Sequence, residues 1–150
     1  MKPTRLDYVT CPYGKPGDWM AGYHTGIDYR APEGTAIFAT KGAKVVHSGY
    51  GGVYGPAYGN YVVLESWYRG RKRQHLYAHL SKSLVKSGQR VKGGDKIGLS
   101  GASGNAFGPH LHYEERFTPF TYWNHYKPVL PDYVPLSKKI RKKLRKQKNK

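Results

Sequence analysis

Two histidines one residue apart follow a glycine-rich loop in the last third of the 150-residue chain. The loop covers residues 98–109, and the alternating segment His110-Leu-His-Tyr-Glu114 comes directly after it. Because residues i and i+2 of a strand point to the same side, His110 and His112 are predicted to lie side by side, with Leu111 on the opposite face. Two neighbouring imidazoles suit a metal ligand and a group that handles protons.

A second candidate pair lies upstream, in the segment His24-Thr-Gly-Ile-Asp28. On an ideal strand this spacing separates the two Cα atoms by about 13 Å, too far to share an ion whose ligand bonds are about 2 Å long. A helix would bring them together, but Gly26 disfavours a helix and Pro32 follows closely. The segment therefore predicts a strand entered through a bend at residues 25–26. Taken alone, it favours the plainer interpretation of a surface histidine and a solvated aspartate.

The composition predicts one all-β domain. A chain of 150 residues can bury a core without disulfides. Nineteen glycines, ten prolines and fourteen tyrosines, between short alternating runs, favour strands joined by turns. The single cysteine, Cys11, excludes an intrachain disulfide and a cysteine-based zinc cluster, and is interpreted as a packed small residue rather than a sulfur ligand.

Two sequence features bear on where the protein acts. No apolar run approaches the length of a membrane span, so no stable membrane insertion is expected. The first residues lack the apolar core of a signal peptide. We therefore expect either that the protein does not use the general secretory route or that a leader has been removed.

Positive charge is concentrated at the C-terminus. Of the net charge of +17, nine positive charges lie in residues 138–150, a stretch without acidic residues, which leaves +8 for the rest. We predict a domain over residues 1–136 and a basic tail over residues 137–150. So many like charges destabilise an isolated helix, so the tail is expected to order only on an anionic surface. Nucleic acid, an acidic wall polymer and a lipid surface are the polyanionic partners this charge favours.

Three further segments carry open interpretations. Arg69-Gly-Arg-Lys-Arg73 is typical of a nucleic-acid patch, but its position between two strand-like runs favours a solvated hairpin tip. The tyrosines of residues 49–60 either line a cleft or cover a sheet edge. In residues 74–81, the alternation places His75, Tyr77 and His79 on one face.

Taken together, these motifs resemble the lysostaphin-type (LytM-like) zinc metallopeptidases, which cut peptide bonds in peptidoglycan. The resemblance is carried, in order, by His24-x-Gly-x-Asp28, by Tyr77-Ala-His-Leu-Ser81 and by Gly108-Pro-His-Leu-His-Tyr-Glu114. It extends over roughly residues 8–130, and three such signatures in the right order are a specific match. It implies a compact antiparallel β domain with the site in a groove between glycine-rich loops.

The resemblance also implies residue roles. His24, Asp28 and His112 correspond to the three zinc ligands, with one Zn²⁺ per chain, and His79 and His110 correspond to two catalytic histidines that do not bind the metal. Two imidazoles and one carboxylate would leave zinc a fourth position for water.

The acidic residues of the same strand are expected to have other roles. No His-Glu-x-x-His helix is present, so neither Glu114 nor Glu115 is expected to be the general base. Alternation puts Glu114 on the side of the two histidines, where it can support a ligand, and turns Glu115 away.

The predicted function is therefore a zinc endopeptidase that hydrolyses peptidoglycan, acting as a monomer and held to anionic wall polymers by its tail. A bacteriophage lysin, released at lysis or carried in the particle, would suit a small protein of this kind. Two other classes stay open: a wall-binding module with an idle zinc site, and a nucleic-acid-binding protein driven by charge.

Overall fold

A computed structural model describes residues 2–6, 8–52 and 54–130 of the chain. The predicted boundary at residue 136 and the basic tail lie outside this part. The described residues form ten strands, two short 3₁₀-helical turns and no α-helix. The strands are β1 (Val9–Cys11), β2 (Ile27–Arg30), β3 (Ala36–Phe38), β4 (Ala43–Gly49), β5 (Asn60–Tyr68), β6 (Arg71–Ser83), β7 (Arg90–Val91), β8 (Lys96–Ser100), β9 (His110–Phe117) and β10 (His125–Tyr126). The 3₁₀ turns are Pro56–Tyr58 and Tyr122–Asn124.

All strand pairs are antiparallel, so the predicted all-β antiparallel fold is confirmed. The main sheet has the order β1-β2-β9-β6-β5-β4-β7, while β10 adds to β9 and β8 joins β6 to β3. The central position of β9 places its side chains between those of β2 and β6. None of the described helical turns is long and apolar enough to cross a membrane.

The two faces of β9 carry different chemistry. Leu111 and Tyr113 are fully buried in the main hydrophobic core. His112 and Glu114 alternate with them and lie opposite Ala78 and Leu76 of β6, so they share the other face of the sheet. The largest buried apolar side chains of the main core are Tyr29, Ile37, Leu64, Tyr77, Leu80, Ile97, Leu111 and Tyr113.

The basic segment at residues 69–73 forms the tip of the β5–β6 hairpin, as predicted. Arg69 and Gly70 both have positive φ, 49° and 79°, which is the backbone of the tight turn that matches the right-handed twist of the strands. Tyr68 and Arg71 are the last paired residues on either side of this turn.

Candidate metal centre and active site

Three side chains converge where β2 meets β9. Asp28 and His112 are directly opposed in the antiparallel pair, and His112 Nδ1 lies 2.8 Å from Asp28 Oδ1. His24, which precedes β2, brings its Nε2 to 3.3 Å from the same oxygen and 3.2 Å from His112 Nδ1. The three atoms thus form a small triangle. The structure also confirms that His24 and Asp28 converge, although four residues separate them.

Gly26 makes the bend that brings His24 to this triangle. The backbone bends at this residue just before β2 begins. A Cβ at Gly26 would lie 2.5 Å from the carbonyl oxygen of Tyr113, 2.7 Å from the His112 ring and 2.8 Å from the Glu114 side chain. Only glycine leaves room for β9 at this distance, so the close approach of the two segments explains the glycine between the two candidate ligands.

The hydrogen bonds of both histidines turn one ring nitrogen toward Asp28. His24 Nδ1 donates to the Pro12 carbonyl oxygen at 3.2 Å, since a carbonyl can only accept, and Nε2 is the nitrogen that faces Asp28. His112 Nε2 donates to Glu114 Oε1 at 2.7 Å, and its Nδ1 is hydrogen-bonded to Asp28 Oδ1 at 2.8 Å. Two imidazole nitrogens and one carboxylate oxygen therefore point into the same small space.

This donor set fits zinc. Tetrahedral ligands at about 2.0–2.1 Å from zinc lie about 3.3 Å from one another, close to the separations of these three atoms. The electrostatics agree. Burial lowers the pKa of His112, but its hydrogen bonds to Asp28 and Glu114 outweigh burial and raise that pKa to about 9. Burial raises the pKa of Asp28, yet its hydrogen bonds with His112 and His24 bring it well below the usual range. The metal-free His112 ring therefore holds a proton on Nδ1 at pH 7, and the surrounding groups stabilise the positive charge that a bound cation would replace.

The Glu114 carboxylate orients His112 and is itself held by three other side chains. It accepts hydrogen bonds from Thr25 Oγ1 at 3.0 Å, from Tyr58 OH at 2.9 Å and from Arg116 Nη2 at 2.8 Å. The side chain is 1% exposed. Burial raises the pKa of Glu114, but the contacts with His112 and Arg116 lower it to about 2. A permanent carboxylate therefore fixes the tautomer and the ring orientation of His112.

The alternation of β9 predicts Glu114 on the side of His112 and Glu115 away from it, and the structure confirms both positions. Extending the same alternation by two residues would also have found Arg116. Nothing in the sequence marks Thr25 as a partner of Glu114. Tyr58 belongs to the tyrosine-rich loop, and its contacts favour the interpretation in which that loop lines a cleft.

His110 lies beside the triangle. Its Nε2 is 3.8 Å from Asp28 Oδ1, and its Nδ1 donates to the Gly108 carbonyl oxygen at 2.9 Å. The predicted sharing of one face by His110 and His112 is confirmed, since both reach Asp28 while Leu111 is buried on the other side.

His79 reaches the site by a route that alternation does not predict. The pairing places Tyr77 opposite Val62 and Leu80 opposite Asn60, so β6 contains one extra residue here. His79 itself has a φ of 62°. This β-bulge turns the His79 ring away from the face of His75 and Tyr77, so the predicted common face of these three residues is wrong.

The bulge sets His79 next to His110. The ring centroids of these two histidines are 4.8 Å apart, and that of His112 is 6.0 Å from His79. His79 Nδ1 donates to the Ser103 carbonyl oxygen at 2.7 Å. Burial lowers the pKa of His79 to about 4, so the ring is neutral at pH 7 with its lone pair on Nε2.

All five histidine and aspartate side chains border one open groove with a volume of about 860 Å³. Trp19, whose ring packs 4.9 Å from that of His24, and the fully exposed Phe107 also border it. Sequence reasoning did not identify either of them. The remaining lining residues are Asp18, Met20, Thr25, Tyr54, Ala57, Tyr58, Asn105, Ala106, Glu114, Arg116, Phe120, Thr121 and Tyr122. This volume is within the range of about 300–1,000 Å³ that is usual for ligand-binding clefts.

Cys11 lies closer to the site than its interpretation as a packed residue suggests. It is opposite Asp28 in the β1–β2 pair and is half-buried. The sulfur and the candidate ligand atoms of His24 and Asp28 are all within 4.8 Å of one another. The ligand atoms of His24, Asp28 and His112 lie within 3.3 Å of one another, so this tighter triangle is the better cation site.

Comparison with known proteins gives this site a family context. The model of Peptidase family M23 matches residues 22–128. The chain is 46% identical over 93 residues to an uncharacterized metalloprotease of Haemophilus influenzae, covering 61% of this chain and 18% of the relative. It is 44% identical over 91 residues to the peptidoglycan DD-endopeptidase ShyA of Vibrio cholerae, covering 61% of this chain and 20% of that protein. The chain thus spans about a fifth of the length of these relatives.

Solved structures extend the likeness to the fold. The catalytic domain of lysostaphin from Staphylococcus simulans superposes with a TM-score of 0.66 at 33% identity, over 81% of this chain and 86% of that domain. A zinc-containing peptidase from Vibrio cholerae superposes with a TM-score of 0.69 at 32% identity, over 87% of this chain and 40% of that chain. The family match includes the segments at residues 24–28, 77–81 and 108–114, which hold all five candidate site residues. The chain belongs to Peptidase family M23.

Proposed function

We propose that this protein is a zinc-dependent endopeptidase that hydrolyses peptide bonds in bacterial peptidoglycan. The observation that carries the proposal is the triangle of ligand atoms on His24, Asp28 and His112, 2.8–3.3 Å apart, at the border of an open groove of about 860 Å³. Its relatives include a peptidoglycan DD-endopeptidase, which supports the choice of substrate.

His24, Asp28 and His112 would hold the metal through Nε2, Oδ1 and Nδ1. Bound there, zinc supplies Lewis acidity to the scissile carbonyl group and to the attacking water. Glu114 keeps the His112 ring turned so that Nδ1 faces Asp28. This support is of the kind that a metal-binding histidine needs in order to stay in one tautomer.

His79 and His110 are assigned the proton transfers. Each donates its Nδ1 proton to a backbone carbonyl, so Nε2 is the nitrogen available for proton transfer. Such a ring can accept a proton from the attacking water. The resulting imidazolium can stabilise the negative oxygen of the tetrahedral state and then give the proton to the leaving amine. The carbon–nitrogen bond breaks, a carbon–oxygen bond forms and one water is consumed.

The test combines metal content with turnover. The purified protein should contain about one zinc per chain, and chelation should abolish the release of fragments from peptidoglycan. His79→Ala and His110→Ala should keep close to full zinc but lose on the order of 100-fold in turnover, because they remove a proton-transfer group rather than a ligand. Zinc-free protein with full activity would refute the proposal.

Mass spectrometry of the released fragments identifies the bond that is cut. Peptidoglycans with direct cross-links and with glycine bridges should be compared. A wall-binding module would bind both substrates and release nothing from either. A nucleic-acid-binding protein would bind DNA while wall fragments stayed constant.

We also infer that the setting of this activity is the bacterial cell wall, and that residues 137–150 add affinity for anionic wall polymers. A bacteriophage lysin acts in that setting, and that origin stays a prediction, as does the monomeric state. The nine positive charges of residues 138–150 are the feature that supports wall attachment.

A further inference from the structure

Three cations surround one aromatic ring at the tip of the β5–β6 hairpin. The Lys41 ammonium lies 5.7 Å, the Arg69 guanidinium 5.3 Å and the Arg73 guanidinium 4.7 Å from the centroid of Tyr68. We call these four residues the Tyr68 cluster. A shared ring at these distances holds three like charges close together, although like charges repel one another.

Few acidic groups offset this charge. Within the described part of the chain, neither Lys41 nor Arg69 has a carboxylate within 4.0 Å. Arg73 Nη1 lies 4.0 Å from Glu115, a carboxylate already shared with His75. The buried Nε of Arg73 has no hydrogen-bond partner among the described residues. Burial is the main cause that lowers the pKa of Lys41; the charge of Arg73 lowers it further, and Glu115 raises it.

The hairpin tip continues this positive surface. Arg71 stacks 4.3 Å over Phe117, and Lys72 lies 5.4 Å over the exposed ring of Trp67. Lys72 also pairs with Glu65 at 3.4 Å, the one acidic contact on that side that the described residues provide. Aromatic rings therefore lie beside the cations on both faces of the hairpin.

These contacts indicate which polyanion fits. Single-stranded nucleic acid binds to such surfaces by stacking its bases on free aromatic faces. At Tyr68, cations from three different residues already occupy the space over the ring. Guanidinium groups are suited to bind phosphate with two parallel hydrogen bonds, and ordered ones lose less conformational freedom on binding. The cluster therefore favours a phosphate polymer without bases.

We propose that the Tyr68 cluster is a docking site for a linear phosphodiester polymer of the cell wall, of the polyol-phosphate class. The site is separate from the groove, since Phe117 at the hairpin end of β9 and His112 at the groove are about 17 Å apart along the strand. The wall setting rests on the proposed function, whereas the affinity for phosphate rests on the cluster alone. A polymer held there would keep the groove close to its peptide substrate.

The experiment compares two double variants of the full chain. Lys41→Gln with Arg69→Gln removes two charges from the cluster, and Arg90→Gln with Lys92→Gln removes two exposed charges at β7. The probe is a fluorescent poly(glycerol phosphate) oligomer at physiological ionic strength. The cluster variant should bind at least about tenfold more weakly than wild type, the scale of losing one charged hydrogen bond. The β7 variant should change less than about twofold, and Tyr68→Leu, which keeps every charge, should weaken binding severalfold.

Equal losses in the two double variants would show that net charge alone binds the polymer and would overturn the proposal. So would an unchanged affinity in the cluster variant. Single-stranded DNA and phosphatidylglycerol vesicles are the other probes. If the cluster variant loses affinity for the DNA or for the vesicles but not for the polymer, the surface has a different partner and the proposal is refuted.

Hydrolysis of a small soluble wall peptide is measured on the same samples. It should be the same in all variants, because the cluster does not border the groove. An inactive wild type with cluster-dependent polymer binding would refute the proposed peptidase function while leaving the docking site intact. Hydrogen exchange supplies a local readout, with slower exchange of amides in residues 66–74 expected when the polymer binds.

Discussion

Glu114 and Glu115 are neighbours in β9, and each forms a buried pair with a histidine, but on opposite faces of the sheet. Glu114 binds Nε2 of His112 and turns Nδ1 toward Asp28 and the groove. On the other face, Glu115 binds Nδ1 of His75, and Nε2 of His75 is occupied by Ser66 at 2.7 Å. One pair thus directs a ring nitrogen to other candidate ligands at a groove, whereas both nitrogens of the other are bonded to groups of the core.

The difference shows that a buried histidine–glutamate pair is not by itself a metal site. His75 is 0% exposed, and its neighbours Tyr113 and Ser66 are core residues. Its network stabilises the contact of β5, β6 and β9. What makes the His112 pair suitable for a metal is that Asp28 and His24, two further candidate ligands, face its Nδ1 nitrogen. Substitutions in the two pairs should therefore have different effects, on metal binding for the His112 pair and on stability for the His75 pair.

The largest contrast is expected between His112→Gln and His75→Gln. Loss of one of three ligands should reduce bound zinc to well below one per chain and turnover on the order of 1000-fold. His75→Gln should keep about one zinc per chain but lose about 1–3 kcal/mol of stability, because Ser66 and Glu115 lose a buried partner. Zinc analysis measures the metal content of the two variants, and urea unfolding measures their stability. Zinc loss in His75→Gln at a temperature where it is folded would contradict the comparison.

Acid should reveal the structural role of Glu115. Burial raises its pKa, but the contacts with His75, Tyr113 and Tyr126 lower it from 4.5 to about 2. Because the folded pKa is the lower one, Glu115 contributes its full stability above about pH 5 and loses it as the pH falls toward 2. The loss amounts to about 3 kcal/mol.

The measurement is urea unfolding of the metal-free wild type and of Glu115→Gln between pH 7 and pH 2.5. Their unfolding free energies should converge as the pH falls, because only the wild type has this carboxyl group to protonate. Metal-free samples exclude the proton competition at the zinc ligands. Parallel curves for the two proteins would mean that the Glu115 network does not stabilise the ionised form.

Glu114→Gln should weaken zinc binding by about 10–100-fold, the usual effect of losing a carboxylate that orients a metal-binding histidine. Glutamine keeps the size of the side chain but removes the charge that faces His112 and Arg116. Competition with a zinc chelator gives the affinity. Glu115→Gln is the matched control, with unchanged zinc affinity. Equal affinities in the two variants would mean that the two faces of β9 do not differ as described.

The smallest effect is expected from deletion of residues 138–150, which removes nine positive charges. Hydrolysis of a small soluble peptide should change less than about twofold, whereas binding to intact walls should weaken and lose most of its salt dependence. Sedimentation of walls at low and high salt measures the binding. If the truncated protein also lost hydrolysis of the soluble peptide, the tail would be part of the fold or of the active site.

Much of the site could be predicted because its elements obey simple periodicity. The alternation of β9 separates His110 and His112 from Leu111, and the glycine between His24 and Asp28 predicts the bend that joins them. The family resemblance assigns distinct roles to these residues, which spacing alone leaves open. The antiparallel fold follows from the short alternating runs between glycines.

The features that escaped prediction depend on packing between distant segments. The bulge at His79 gives a non-glycine residue a positive φ, and no residue type marks it in the sequence. Its position follows from the register of β6 against β5 and from the bond to Ser103. In the same way, Tyr58 and Thr25 meet Glu114 only after the loop and the β2 bend have packed together.

The most direct test of the central claim is an anomalous difference map at the zinc absorption edge, from crystals of the zinc-loaded protein. A single peak should lie about 2.0–2.2 Å from Nε2 of His24, a carboxylate oxygen of Asp28 and Nδ1 of His112, with His79 and His110 near it but not bonded to it. A peak bonded to His110 or Cys11 in place of any of these ligands would contradict the assignment.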